Sequence, residues 1–215
     1  MAMIVSSMTD TIIGPEAMAA YAINCGARVN GGTDVTTLAD NICKDYGLTY
    51  ETTSDENQLL EHLRSGGLAI GNVGGNRDGW MGVFSSAGHF IVISSCSGNT
   101  VLVCDPDLYP GKFNINGRAG KVAVDGDYCY CDISILTNDT ANRSPAYWLF
   151  KKGEEGKGMP EGAASARLTI NGKEYPAYIL GGHVYFGQGV QISDFISSLN
   201  RTWNWSSENL TLEIK

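Results

Sequence analysis

The sequence predicts an α+β protein with its helices first and its sheet afterwards. Three observations carry this. Up to residue 65 the apolar residues recur at helical spacing between capping signals. From Leu68 onward they gather into short runs or alternate, as strands do. A glycine-rich, charged stretch at 153–165 then divides residues 1–152 from a last β-rich domain, 166–215.

Residues 1–8 carry apolar positions compatible with a helix, closed by the polar Ser6-Ser7 and Thr9-Asp10-Thr11. Ile12-Ile13-Gly14-Pro15-Glu16 opens a second, because proline is preset for a first turn and an early glutamate suits the helix dipole. It runs through Ala22 and stops near Cys25-Gly26. Gly31-Gly32-Thr33-Asp34 caps a third helix, Val35 to Tyr46, closed by Gly47. Leu48–Thr53 alternates as a strand. Asp55 caps a short helix, Glu56 to Arg64, with Leu59, Leu60 and Leu63 as its apolar stripe and His62 on the solvated side.

Leu68–Val73 follows as a strand, then a glycine-rich loop from Gly74 to Gly82. His89–Ser95 and Thr100–Asp105 pair across Ser97-Gly98-Asn99, and Tyr128–Ile135 and Ala146–Lys151 add strands. In the last segment, Asn171-Gly172 marks a hairpin and Ile179–Phe186 a strand broken at Gly181-Gly182. Ile192–Asn200 reads as a helix capped by Ser193, and Trp203-Asn204-Trp205 pairs with Leu210–Ile214 over a hairpin at Ser206–Asn209.

A formal net charge of −8 argues against nucleic acid, because no basic patch is there to neutralise phosphates. No apolar run is long enough to span a membrane, and no basic leading region marks a signal peptide. The six cysteines include no Cys-x-x-Cys and no Cys/His cluster with zinc spacing, so neither a metal nor another cofactor is expected. Cys43, Cys96 and Cys104 lie in apolar runs and read as small core residues; Cys129 and Cys131 flank Tyr130 and share one face of a strand.

The chemistry concentrates at His89 and Asp105, sixteen positions apart at the start and finish of consecutive strands. An antiparallel pair brings those two ends together, which suits a general base and the carboxylate that orients it. Gly88, just before the histidine, and Trp80, in the glycine-rich loop as a lip over a cleft, are the candidate substrate-binding residues. A nucleophile is harder to find. Cys25 is followed by neither proline nor helix, Cys96 lies at the far end of the strand from His89, and Cys104 alternates away from Asp105.

Gly88-His89-Phe90-Ile91-Val92, Val103-Cys104-Asp105-Pro106, Pro15–Ala22 and the Gly31-Gly32-Thr33 turn together resemble the papain-like cysteine peptidases that include the bacteriocin-processing, double-glycine-leader peptidases. Met1-Ala2-Met3-Ile4-Val5 looks like the continuation of that family's Cys-Gly-Pro-Thr-Ser nucleophile motif. The resemblance implies a papain-like domain over 1–152, with His89 as general base and acid and Asp105 as its orienter. Its thiol would lie roughly five residues before Met1, at the head of the first helix. On this expectation the chain starts just after its nucleophile and is itself inactive.

Ile170-Asn171-Gly172-Lys173, Leu199-Asn200 and Trp203-Asn204-Trp205 resemble the stalk module named after the N-terminal domain of copper amine oxidases, implying adhesion or spacing over 166–215. His183 is that segment's only histidine, too few for copper. The two resemblances imply a peptide or protein substrate, cell-wall peptidoglycan among the candidates, and an extracellular, wall-associated or phage-borne setting. The alternative is a non-catalytic peptide- or wall-binding protein that keeps the groove.

Overall fold

The computed structural model describes residues 1–153, 164–170, 173–181, 183–186, 190–191, 203–206 and 211–214. The chain is mixed α+β, and its contacts divide it into two units, 1–43 with 48–152 and 44–47 with 153–215.

The first unit opens with α1 (Ala2–Met8), which buries Ile4, Val5 and Met8, and α2 (Pro15–Asn24), with Pro15 in its first turn. Gly26, at φ 76, turns the chain into the two-residue ladder of β1 (Arg28–Val29) and β2 (Gly32–Thr33). No apolar period announces that ladder. Asp34 then accepts from the Thr36 and Thr37 N–H groups and starts α3 (Val35–Tyr46). After β3 (Leu48–Thr53), the Asp55 carboxylate caps α4 (Glu56–Arg64) through the Asn57 and Gln58 amides.

The sheet continues with β4 (Leu68–Val73), β5 (His89–Ser97), β6 (Thr100–Cys104), β7 (Ala123–Asp125) and β8 (Tyr128–Asp132). Helix α5 (Ile133–Thr140) intervenes before β9 (Tyr147–Lys152). The seven strands lie in the order β3-β9-β4-β5-β6-β8-β7, every neighbour antiparallel. Alternation sorts its two faces. Ala69, Ile91, Ile93, Val101, Val103, Tyr147 and Leu149 form one core with Leu59, Leu60 and Leu63 of α4 and Ile133 and Leu136 of α5. Full burial of each such side chain contributes about 1.5–3 kcal/mol. The other face carries Phe90, Trp148, Phe150 and Tyr50, with Phe90 edge-on to Trp148 and Tyr50 stacked on Phe150. There the Trp148 indole donates to Thr36 of α3.

Two expectations are corrected here. The strand expected over Tyr128–Ile135 ends at Asp132, whose carboxylate accepts from the Ser134 amide and turns Ile133–Thr140 into helix. His62 is buried, not solvated: its Nε2 lies 2.8 Å from the Phe150 carbonyl and 3.2 Å from that of Leu68. The ring fits because residue 67 is glycine; a Cβ there would lie 2.1 Å from Nε2.

In the second unit, β10 (Ala164–Ile170), β11 (Lys173–Leu180), β12 (His183–Phe186) and β13 (Val190–Gln191) form an antiparallel sheet in chain order. A separate ladder joins β14 (Trp203–Ser206) to β15 (Thr211–Ile214). The body of the expected linker, the Asn171-Gly172 turn and the helix expected over Ile192–Asn200 lie outside the described residues. No helix among the described residues is long and apolar enough to cross a membrane.

Candidate active site

His89 opens β5, opposite Val73, and Asp105 directly follows β6. Ile93 faces Val103 across the ladder, so the alternation that sends Ile91 and Ile93 into the core also carries His89 to that face. Val101 and Val103 place Asp105 in the same phase. Both chains leave the sheet at one end, and the side chains meet: His89 Nε2 lies 2.8 Å from Asp105 Oδ1. The carboxylate is fully buried, while the imidazole keeps about a fifth of its surface exposed.

Asp105 has more partners than the histidine. The Asp107 amide donates to Oδ1 at 2.9 Å, and Lys112 Nζ forms an ion pair with Oδ2 at 2.7 Å. Burial alone pushes the carboxyl pKa up. The hydrogen bonds from His89, Lys112 and the Asp107 amide, with the Lys112 charge, outweigh that and leave it below the ordinary aspartate value. An ionised carboxylate only accepts, so His89 Nε2 carries a proton, and Nδ1 is the nitrogen left to exchange one. A base with a fixed tautomer and one exposed edge can take a proton from an acid placed beside Nδ1.

Asp105 also lines a groove of about 1080 Å³. Ala2, Met3, Ser6 and Ser7 of α1 form one side, Val92, Ser94 and Cys104 the sheet floor, and the Leu108–Asn114 loop with Val122, Val124 and Tyr128 the other side. Tyr109, Val124 and Tyr128 are about half exposed and give that side an apolar, aromatic rim.

The two candidate substrate contacts lie elsewhere. Neither Gly88 nor Trp80 lines the groove, and of the His89–Asp105 pair only Asp105 does. A Cβ on Gly88 would come within 2.6 Å of an Arg143 guanidinium nitrogen, so this glycine makes room for that arginine beside His89. Trp80 is anchored inward: its indole N–H donates to Asp139 Oδ1 at 2.7 Å, and Lys121 Nζ lies 4.1 Å from its ring centre. Asp139, wholly buried on α5, also accepts from the Val83 and Phe84 amides, and so organises the end of the glycine-rich loop.

The six thiols are all free. Burial pushes Cys43 and Cys131 up to about 12 and Cys129 to about 11, and it raises Cys104 as well, although Cys104 faces the groove. A thiol raised in this way stays protonated and is a poor nucleophile at neutral pH. Cys43, Cys96 and Cys104 are half-buried, whereas Cys129 and Cys131 form part of the core. Cys25 closes α2 with its thiol on the Ala22 carbonyl, and Cys96 donates to the Leu60 carbonyl.

Sequence reasoning missed Lys112 and Asp139. Asp139 was hidden by the extended pattern preceding α5. Lys112 belongs to the long connection between β6 and β7, where no period or cap marks it. Comparison with family models, curated proteins and solved structures finds no match for this chain.

Proposed function

We propose that His89 and Asp105 are the general base and orienting carboxylate of a cysteine-peptidase-type hydrolase of papain-like architecture. The observation that carries this is the 2.8 Å hydrogen bond from Nε2 to a buried, ionised Asp105, which leaves Nδ1 to receive a proton. In the reaction His89 takes the proton from a thiol, the thiolate attacks the peptide carbonyl, and imidazolium returns the proton to the leaving amine; water, deprotonated by His89, then attacks the thioester, releasing the acid and restoring the thiol. Asp105 stabilises the imidazolium and holds its orientation without taking its proton. The groove along α1 and the Leu108–Asn114 loop receives the peptide, a cell-wall peptide being one candidate. A thiol supplied at the head of α1 completes the proposed site.

The test adds Cys-Gly-Pro-Thr-Ser ahead of Met1 and assays a pool of quenched fluorescent peptides together with peptidoglycan stem peptides. The expected result is cleavage that alkylation abolishes and that is lost in His89→Ala. Absence of cleavage in the folded, extended chain overturns the proposal.

One observation favours a second reading. Four of the six thiols are raised by burial, and the other two are held against backbone carbonyls. Among the described residues the groove therefore lacks an activated thiol, as expected of a peptide- or wall-binding protein. That reading predicts saturable peptide binding with no turnover in the extended chain too.

A further inference from the structure

The two oxygens of Asp105 are divided between different partners. Oδ1 accepts from His89 Nε2 and the Asp107 amide, whereas Oδ2 faces Lys112 Nζ at 2.7 Å. Lys112 is only 2% exposed, and its ammonium also reaches the Asp107 carbonyl at 3.0 Å and Asp107 Oδ2 at 3.2 Å. The Tyr109 ring centre lies 5.8 Å from it. The other titratable groups acting here are the Cys104 and Cys129 thiols, both kept protonated by burial. A single buried charge thus ties the carboxylate behind the imidazole to the chain that forms one side of the groove.

Resting on the assignment of His89 and Asp105 as a dyad, we propose that Lys112 is its positioning residue. The ammonium holds Oδ2, so that Oδ1 alone faces the imidazole, and it anchors residues 105–113 to the dyad. It also offsets the Asp105 charge, so the carboxylate orients the ring without placing a bare anion in the site. A neutral side chain at 112 leaves the burial of Asp105 less opposed, and the carboxyl then protonates more readily and is freer to turn.

The test is NMR on the chain as it stands, which needs no turnover. In the wild type, the Asp105 carboxyl carbon and the Lys112 Nζ signals change together in acid, with a midpoint below the ordinary aspartate value. In Lys112→Met the Asp105 midpoint rises by about one pH unit or more, and the His89 Nε2–H proton exchanges faster. Lys112→Arg restores both towards wild type. A folded Lys112→Met with an unchanged Asp105 midpoint overturns the proposal. So does a wild-type Lys112 signal that ignores Asp105 ionisation, and this second measurement decides the matter if the Met variant fails to fold. The peptidase assignment fails instead in the cleavage assay, so the two failures are separate.

Discussion

Asp139→Ala tests whether a buried carboxylate holds the glycine-rich loop. The side chain accepts from the Trp80 indole at 2.7 Å and from the Val83 and Phe84 amides at 2.8 Å each. Val83 and Phe84 are themselves fully buried, so alanine strands two backbone donors with no route to bulk water. Each orphaned donor costs about 1–3 kcal/mol. The indole, only partly buried, finds water and adds little. Relief of the carboxylate's own desolvation and entry of a water into the space work the other way, giving a net loss of about 3 kcal/mol. Asp139→Asn keeps one accepting oxygen and loses about half as much. Urea unfolding followed by tryptophan fluorescence and by far-ultraviolet circular dichroism measures both. An Asp139→Ala protein within about 0.5 kcal/mol of wild type refutes the reasoning, because those amides must then have other partners.

Two further outcomes follow from the same geometry. Gly75 has φ 78, and a Cβ there would lie 1.7 Å from the Ala87 carbonyl oxygen; Gly79 has φ 74 but open space around it. Gly75→Ala is expected to cost about 3 kcal/mol or more and Gly79→Ala about 1 kcal/mol; equal losses in urea unfolding refute the clash. The folded-state pKa of Asp105 lies below its unfolded value, so the stability it contributes is complete above the ordinary aspartate range and is lost as pH falls through the folded value. Asp105→Asn therefore flattens the acid limb of the stability profile, and an unchanged acid limb contradicts the depressed carboxyl.

What was legible in the sequence is what local chemistry determines. The apolar runs Phe90-Ile91-Val92-Ile93 and Val101-Leu102-Val103, joined by a short turn, announce an antiparallel pair, and with it the convergence of His89 and Asp105 at one end. Asp34 and Asp55 announced their helices because a cap bonds amides two and three residues on. Tyr128–Ile135 misled for a related reason: its alternation continues past the strand, and only the Asp132 cap switches the backbone to helix. His62 looked solvated because an imidazole amid charged neighbours on a helix reads as surface. Its acceptors are carbonyls of β4 and β9, the latter 88 residues away, and the one local trace is Gly67, which leaves the ring its space. Lys112 depends entirely on where a long loop folds back, and no spacing rule reaches that.

The two buried carboxylates of the first unit are compensated in different ways. Asp139 is compensated by N–H groups, two of them in the backbone of residues 83 and 84, and these dipoles cannot leave without unfolding the loop. Its side chain is therefore part of the framework. Asp105 is compensated by an imidazole and an ammonium on side chains, with the Asp107 amide as its one backbone donor. Side-chain partners can gain or lose protons, and the imidazole edge reaches solvent. The proposed dyad needs that arrangement: a carboxylate fixed firmly enough to set a tautomer, facing a ring that gains and loses a proton in each half of the reaction. Under the proposed function, the Lys112 ammonium keeps a counter-charge on buried Asp105 that does not depend on the proton carried by His89.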